Sequence, residues 1–365
     1  MLKKLLTGLA VLFVLLGVYL LTWPVPIDPK AWVAPPNPGY TGDFETNTRL
    51  SGIEKLPLGG LHGPEDIAID SAGRIYAPTH EGIIVRLESA SAEPEKWVDT
   101  GGRPLGIEFD ANSHLIVADG YRGLLSVAPN GEITTLVTEA DGQAIRYADD
   151  VDVAADGKIY FSDASTKFAP ADFGGTLEAS LVDIMEHGGH GRLLVYEPET
   201  RKTRTLLDGI HFANGVAVSP DQRYVLVNET GSYRVLRYWL SGPKKGTVEP
   251  MIEALPGFPD NISTGQDGRF WVALVSPRNP LLDKLSDNPL VRKMIQRIPA
   301  ALRPKATLYG HVIAIDDTGR VTQNLQDPEP LVPLNTSVTE TDEYLYIGSL
   351  AADFIPRLAK ARAGF

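Results

Sequence analysis

Oxygen-bearing side chains recur at one position of a repeated sequence pattern. One copy reads GFPDNISTGQDGRFWVAL and runs from Gly257 to Leu274. Five further copies share its order, in which a polar or proline-containing lead precedes an alternating strand, an Asp/Asn/Gly turn and a second, β-branched or aromatic strand. Four of the leads carry carboxylates and carboxamides, namely Glu65, Asp66, Asp149, Asp150, Asn214, Asp260 and Asn261. Side chains of these types bind hard cations or act as general bases.

The spacing of the copies predicts a six-bladed β-propeller. The leads begin near Gly63, Gly102, Tyr147, Phe212, Phe258 and Leu334. Most intervals are about forty to forty-six residues, which is the length of a four-stranded blade. Two intervals are longer because they contain inserts, at residues 166–191 and 276–305. We therefore expect one all-β domain over residues 46–365. A β-sandwich made of hairpins is the alternative, and it explains six recurrences of one pattern less well.

Propeller geometry would bring the polar leads together. The innermost strand of each blade lines the central channel, so the residues that lead into these strands lie around one channel mouth. Several carboxylates in one place repel each other unless a cation lies between them. Oxygen ligands without His or Cys suit calcium, which takes about six to eight oxygens. We expect a channel calcium, although each residue taken alone has the ordinary explanation of a turn-capping Asp or Asn.

The composition excludes several classes of protein. The formal net charge of -12 at pH 7 opposes binding to a phosphate backbone, so we exclude nucleic acid as a partner. The chain contains no cysteine, which excludes disulfides, zinc–thiolate sites and a thiol nucleophile. It also lacks a G-x-S-x-G elbow, a P-loop and a dinucleotide-binding fingerprint. The histidines of the sequence HGGH, His187 and His190, are interpreted as part of a polar loop.

The amino-terminal residues predict a membrane helix. Lys3 and Lys4 precede an apolar run from Leu5 to Trp23, which is long enough to span a bilayer as a helix. A cleaved signal peptide is the alternative, but no Ala-x-Ala site follows the run. We expect residues 1–23 to be an uncleaved signal anchor with the lysines in the cytoplasm and the propeller on the periplasmic or extracytoplasmic side. The proline-rich residues 24–45 would then form a stiff stalk.

The second insert combines apolar and basic residues. Its apolar residues fall at helical spacing on either side of Asn288 and Pro289, which predicts two short helices. Its basic residues are Arg278, Lys284, Arg292, Lys293, Arg297, Arg303 and Lys305. We expect residues 276–305 to form a lid that faces the membrane, with the basic residues on anionic lipid. Alternatively, the apolar face packs on the propeller rim and the charges are solvated.

Several longer motifs carry a resemblance to a known family. The stretches GPED, GRPLGI, VADGYRGL, GRLLVYEPETRKTRTLLDGIHFANGVAVSPD, VLVNET and PGFPDNIS resemble the strictosidine-synthase-like proteins. The insert sequence NPLLDKLSDNPLVRKMIQRIP is similar to one peculiar to that group. The chain resembles the gluconolactonase/senescence-marker and paraoxonase families more distantly. The resemblance implies a six-bladed, calcium-dependent propeller with lactonase or arylesterase activity in several branches, often tethered by an amino-terminal helix.

The resemblance also implies roles for individual residues. Metal ligands of the hydrolytic branches correspond to Glu65, Asn214 and Asp260, with Asp149 and Asn261 as additional ligands. Asp149 departs from the family pattern, which usually has Asn there. The paraoxonase histidine pair has no counterpart in VADGYR. Strictosidine synthases use a glutamate shortly before the last strand, whereas VPLNTSVTE contains no acid until Glu340. Alkaloid condensation is therefore disfavoured.

A channel calcium beside carboxylates would support hydrolysis of an ester or a lactone. The ion would polarise the carbonyl and stabilise its oxyanion, while a carboxylate takes a proton from water. Asp260 is our candidate for both ligand and base, and Asp150 is the second choice for the base. The expected partner is a small-molecule ester or lactone. The competing hypothesis is a non-catalytic binding or scaffold module in which calcium is only structural.

Overall fold

A computed structural model describes residues 1–365 and contains six four-stranded antiparallel sheets, so the prediction of a six-bladed β-propeller is confirmed. Strand β1 (Glu54–Pro57) belongs to the last blade. The first blade contains β2 (Ala68–Ile69), β3 (Ile75–Pro78), β4 (Ile83–Leu87) and β5 (Glu95–Asp99). The second contains β6 (Pro104–Phe109), β7 (Leu115–Asp119), β8 (Gly123–Val127) and β9 (Ile133–Val137). A small hairpin follows, formed by β10 (Glu139–Ala140) and β11 (Gln143–Ala144).

The next three blades repeat the order from the innermost to the outermost strand. The third contains β12 (Ala148–Val153), β13 (Ile159–Asp163), β14 (Gly191–Glu197) and β15 (Lys202–Ile210). The fourth contains β16 (Ala213–Val218), β17 (Tyr224–Glu229), β18 (Arg234–Trp239) and β19 (Val248–Ile252). The fifth contains β20 (Gly257–Thr264), β21 (Phe270–Pro277), β22 (Gly310–Ile315) and β23 (Val321–Asp327).

The sixth blade closes the ring with strands from both ends of the domain. It contains β24 (Asn335–Glu340), β25 (Tyr344–Ser349) and β26 (Phe354–Ala359), and β1 is its outermost strand. β1 pairs with β26 in antiparallel register, with Leu56 opposite Ile355. A closed ring of blades leaves only short, protected sheet edges.

Apolar side chains fill the spaces between neighbouring blades. Leu226 of the fourth blade and Phe270 of the fifth belong to one such cluster, and both are fully buried. Similar clusters lie between the first and second blades and between the third and fourth. Strands that are buried on both faces carry near-continuous Val, Ile and Leu runs, because each face packs against a neighbouring blade. This packing gives the innermost strands a rigid frame.

The innermost strands are irregular where the polar leads enter them. Their antiparallel register shifts at residues 148–151 of β12, 213–216 of β16 and 259–262 of β20. A β-bulge disrupts the ladder locally and re-aims a side chain. Each of these bulges contains one or two of the predicted oxygen donors. These donors therefore belong to the first few residues of their strands and do not precede them.

Short α-helices lie only in the two inserts and at the carboxyl end. The first insert contains α2 (Pro170–Phe173) and α3 (Thr176–Glu186), and the second contains α4 (Pro280–Lys284) and α5 (Pro289–Arg297). Asn279 and Asn288 cap α4 and α5 by accepting hydrogen bonds from the first backbone amides, and each is followed by proline. The two short helices expected in the second insert are therefore present. Helix α6 (Lys360–Ala363) ends the chain.

The amino-terminal segment does not stand free of the propeller. Helix α1 (Leu2–Thr22) contains no buried residue and is long and apolar enough to cross a membrane. After it, the chain runs extended between the two inserts. The backbone amide of Lys30 donates to the carbonyl of Glu186 in the first insert at 2.9 Å, and that of Trp32 donates to the carbonyl of Ser286 in the second at 3.1 Å. The segment predicted as a stalk thus links the two inserts.

Candidate functional site

A pocket at one end of the channel has a polar floor. Its floor is lined by Glu65, Tyr147, Asp149, Asn214 and Asp260, all of which are buried. The cavity has a volume of about 140 Å³. The bulges of β12, β16 and β20 direct the Asp149, Asn214 and Asp260 side chains to this place. Four of the predicted oxygen donors therefore meet in one pocket.

The carboxylates of the floor strongly influence one another. Burial, followed by the charges of Glu65 and Asp260, raises the pKa of Asp149 well above its usual value. Burial and the charge of Glu65 likewise raise the pKa of Asp260, which the Asn214 side chain partly opposes by hydrogen bonding. Burial and like charges both disfavour the ionised forms of Asp149 and Asp260.

Arg103 supplies one positive charge at the floor, and the sequence analysis missed it. Its Nη2 atom lies 2.8 Å from Oε2 of Glu65, and both side chains are buried. The attraction of Arg103 partly opposes the burial that raises the pKa of Glu65. Arg103 belongs to the lead GRPLGI of the second blade, two residues ahead of Leu105, which occupies the position at which four other blades carry oxygen donors. Its place in a lead that converges on the channel mouth is the signal that could have identified it.

The floor residues fit a hard cation in their chemistry. Within the chain, no group of three or more His, Cys, Asp or Glu side chains is placed so as to hold a metal ion. A cation at the floor would therefore depend on carboxamide as well as carboxylate oxygens. Oδ2 of Asp149 and Oδ1 of Asn214 are buried without a hydrogen-bond partner. Unpartnered buried oxygens are costly, and oxygens of these two types are the ligands that calcium accepts.

Three of the predicted oxygen donors, Asp66, Asp150 and Asn261, lie outside the pocket lining. Asp150 points deeper into the channel, where its Oδ2 atom accepts a hydrogen bond from the Val216 amide at 2.7 Å. Its neighbour there is Asp66, whose Oδ2 atom accepts from the Ile107 amide at 3.0 Å. Burial, followed by the charge of Asp66, raises the pKa of Asp150. Asn261 is buried next to Asp260 but does not line the cavity.

Glu340 lies at the end of β24 that is remote from the pocket. Its carboxylate accepts a hydrogen bond from Nε1 of Trp271 at 2.7 Å and forms an ion pair with Lys360 at 2.7 Å. The other end of β24 borders the floor, where the Thr336 hydroxyl donates to the Glu65 carbonyl at 2.5 Å. Glu340 therefore has a structural environment and no access to a ligand in the pocket.

Both inserts contribute apolar walls above the polar floor. The wall residues from α3 and its surroundings are Leu177, Leu181, Ile184 and Met185. Those from the second insert are Leu281, Leu282, Leu285 and Ile295. A pocket with apolar walls and a few convergent polar groups is the usual form of a small-molecule site.

His187, one of the two histidines of the first insert, is buried in the structure, so its interpretation as part of a polar loop is wrong. Its ring stacks on Trp32 at 4.0 Å and on His211 at 3.7 Å between ring centroids. Burial, followed by the charge of His211, lowers the pKa of His187 to about 2, so the ring is neutral. His211 in turn contacts Oε1 of Glu229 at 2.7 Å. This stack joins the amino-terminal segment to the first insert and the fourth blade.

Two of the basic residues expected to lie on anionic lipid at the second insert are buried instead. Arg292 is fully buried, and its guanidinium donates to the carbonyls of Met185 and Ser286 at 3.1 and 3.0 Å. Arg297 is also buried, and it donates to the carbonyls of Leu20 and Trp23 at 2.8 and 2.5 Å. A guanidinium carries several N–H donors and can donate to several backbone carbonyls at once, as Arg292 and Arg297 do.

The fold places the chain among propellers of the gluconolactonase and regucalcin type. A gluconolactonase from Xanthomonas campestris superposes with a TM-score of 0.60 at 17% identity, over 92% of this chain and 96% of that chain. The calcium-binding protein regucalcin from Agrobacterium tumefaciens superposes with a TM-score of 0.56 at 14% identity, over 84% of this chain and 93% of that chain. At these identities the likeness defines the fold alone.

Sequence comparison assigns the family. Models described as "Strictosidine synthase-like, N-terminal" and "Strictosidine synthase" match residues 42–87 and 149–243. The adipocyte plasma membrane-associated protein of Rattus norvegicus is 35% identical over 357 residues, which cover 92% of this chain and 93% of the relative. The chain therefore belongs to the strictosidine synthase-like family. The resemblance inferred from its motifs is confirmed.

Proposed function

We propose that this protein is a calcium-dependent hydrolase of lactones or aryl esters that is tethered to a membrane by α1. The observation that carries the proposal is the set of buried oxygen donors at the floor of an apolar pocket. Solved propellers of the same fold include a gluconolactonase and a calcium-binding regucalcin, so lactone hydrolysis and calcium are the first chemistry to test.

Glu65, Asp149, Asn214 and Asp260 would hold the ion from the pocket side, and Asn261 would support Asp260. Bound calcium would polarise the substrate carbonyl and stabilise the oxyanion that forms on it. The charges of the side chains at the pocket floor support a calcium site there. Three acids and Arg103 leave an excess of negative charge, which a divalent cation would balance.

Asp260 is the proposed general base. Its carboxylate accepts a proton from a water molecule while the water oxygen forms a bond to the carbonyl carbon. The carbon–oxygen bond of the ester or lactone then breaks, and the proton passes to the departing alkoxide or phenoxide. Burial raises the pKa of Asp260, and a nearby cation would favour the ionised form that accepts a proton. Asp150, our second choice, is less suitable because it does not line the cavity and its Oδ2 atom accepts from Val216.

A non-catalytic binding module is the alternative function. The same oxygen donors would then hold calcium only to stabilise the channel, and the pocket would bind a ligand without converting it. One observation favours this reading: the relative from Rattus norvegicus is named for its membrane association and not for a reaction. Strictosidine-type condensation is disfavoured, because Glu340 lies away from the pocket.

The test uses the full chain purified in detergent. Calcium content is measured by mass spectrometry, and hydrolysis is assayed against a panel of lactones and aryl esters before chelation, after chelation and after calcium is restored. The proposal predicts activity that disappears with the chelator and returns with calcium. Bound calcium without turnover of any substrate would support the binding module instead.

The topology of the membrane tether is tested separately. Lys3 and Lys4 precede α1, and their retention in the cytoplasm would place the propeller outside. Membrane vesicles of known sidedness are treated with protease, and digestion of the propeller is expected only when its predicted side is exposed. Protection of the propeller under those conditions would contradict this topology.

A further inference from the structure

Leucines surround the mouth of the pocket and remain exposed. Leu177 and Leu181 of α3 and Leu281 of α4 line the cavity, yet they are 42, 47 and 44% exposed. We call these three residues the rim leucines. Two further leucines of the second insert, Leu290 and Leu302, are 54 and 71% exposed. Clustered exposed apolar side chains mark a binding or membrane-contact surface, whereas scattered ones need no explanation.

Helix α1 ends beside the same insert. The guanidinium of Arg297 donates to the carbonyl of Leu20, and the hydroxyl of Tyr19 donates to the carbonyl of Arg297, each at 2.8 Å. Ile295, two residues before Arg297 in α5, lines the pocket. The pocket therefore lies next to the point at which an apolar helix that contains no buried residue leaves the propeller.

From these two relationships we propose that the rim leucines are immersed in the surface of a lipid bilayer and that the substrate is an ester or lactone carrying an alkyl chain. The substrate enters the pocket from the lipid. Its alkyl chain lies against the apolar walls of α3, α4 and α5, and its carbonyl reaches the polar floor. The part concerning the reaction rests on the proposed hydrolase function, whereas the membrane contact and the alkyl-chain preference do not.

The physical basis is the hydrophobic effect at two places. Lipid removes water from exposed leucines, and this stabilises the docked orientation by an amount that grows with the apolar area buried. Inside the pocket, each methylene of the substrate's alkyl chain that leaves water contributes to the binding free energy in the same way. Affinity referred to the concentration of free ligand in water should thus rise about fourfold with each added methylene until the walls are covered.

Membrane contact is tested by spin labelling of the full chain in phosphatidylcholine vesicles. Because the protein has no cysteine, Leu181→Cys introduces a single labelling site. The control is Asp342→Cys, in an exposed turn at the end of β24 remote from the pocket. We expect a nitroxide at position 181 to collide more with oxygen than with a water-soluble nickel complex, and the control to show the reverse. Equal access of the nickel complex to both sites would overturn the proposal.

Substrate preference is tested with lactones that differ only in alkyl-chain length, and with the matching cyclic ethers, which cannot be hydrolysed. In the same vesicles, ether affinity and lactone kcat/KM are both referred to the free ligand concentration in water, and both are expected to rise about fourfold per methylene over the first few methylenes. Affinity that does not depend on chain length would overturn the proposal. Chain-dependent ether binding without hydrolysis of any lactone would support the lipid-facing pocket and reject the hydrolase function.

Discussion

Nη2 of Arg103 lies 2.8 Å from Oε2 of Glu65 at the floor of the pocket, where the two side chains are only 2 and 6% exposed. A buried ion pair fixes the positions of its members, because loss of one member leaves the other charge uncompensated. Burial and neighbouring carboxylates raise the pKa values of the two other acids of the floor, Asp149 and Asp260. Arg103 therefore compensates one of three acids, and the remaining two make the floor suitable for a divalent cation.

Replacement of Arg103 by Met should destabilise the calcium-free protein by about 3–5 kcal/mol, because Glu65 loses its partner while it stays buried. Added calcium should reduce this loss, since it supplies positive charge near Glu65. Thermal unfolding with a chelator and with calcium measures both effects. The control is Arg74→Met, at a more exposed ion pair with Asp70, for which we expect a loss of less than about 1 kcal/mol. A loss for Arg103→Met that calcium does not change would argue against a cation at the floor.

The free energy of unfolding should depend on pH through the ionisation of Glu229. Burial alone would raise the pKa of Glu229, but the hydrogen bond with His211 and the ion pair with Arg234 lower it to about 2 from an ordinary 4.5. The ionised side chain therefore stabilises the fold above pH 4.5 by about 3 kcal/mol, and this contribution is lost as the pH falls towards 2.

The variant Glu229→Gln has no carboxylate to protonate at this position. The free energy of unfolding that the wild type loses between pH 4.5 and 2 through Glu229 should therefore not be lost in the variant, as measured by denaturant unfolding at a series of pH values. Its stability relative to the wild type is expected to be lowest at neutral pH and to recover as the pH falls from 4.5. Glu253→Gln, which changes a largely exposed partner of Arg234, is the control and should follow the wild-type profile. A constant difference between Glu229→Gln and the wild type at all pH values would contradict the assignment.

The site donors were predictable from sequence because they repeat. Four blades carry Asp, Glu or Asn at the same place, and the period of the repeat predicts that these places converge. In the second blade the equivalent place is occupied by Leu105, and Arg103 lies two residues ahead of it. A search for oxygen ligands does not find a basic side chain there. The depth of each donor was not predictable either. Asp149 and Asp150 are adjacent in sequence, and only the bulge in β12 determines that one lines the pocket while the other faces the lower channel.

The contacts of the amino-terminal segment and of the second insert could not be predicted from the sequence. A proline-rich sequence predicts an extended backbone, which is observed, but it does not reveal what lies beside that backbone. Arg292 and Arg297 have the sequence pattern of a basic amphipathic helix. Their burial depends on backbone carbonyls of Met185, Leu20 and Trp23, which are distant in sequence. Such long-range contacts have no local signature.

Gly215 should be required for the approach of two innermost strands. A Cβ atom at this position would lie 2.3 Å from the backbone nitrogen of Ile262 and 2.6 Å from Cα of Asn261. The variant Gly215→Ala must therefore displace β20, which carries Asp260. We expect a stability loss of about 2–4 kcal/mol in chemical denaturation, with weaker calcium binding. Gly17→Ala, where nothing lies within 4 Å, is the control. Wild-type stability and calcium affinity in Gly215→Ala would contradict the close approach.

Arg292 should hold the amino-terminal segment against both inserts. Its guanidinium donates to the carbonyls of Met185, Lys30 and Ser286, which lie in the first insert, the segment and the second insert. In Arg292→Met these carbonyls lose their donor, so limited proteolysis should cleave within residues 24–41 at least about tenfold faster. Lys284→Met, at an exposed position of α4, should be cleaved at the wild-type rate. Equal cleavage of the two variants would show that other contacts hold the segment.

Calcium binding and lactone hydrolysis measured on the same samples of Asp260→Asn and of the wild type test the central claim most directly. Asp342→Asn, in the exposed turn remote from the pocket, is the matched control. We predict that Asp260→Asn binds calcium at least about tenfold more weakly and has lost calcium-dependent hydrolysis, whereas the control retains both properties. Full calcium affinity together with full hydrolysis in Asp260→Asn would contradict the account, because Asp260 would then be neither a ligand nor the base.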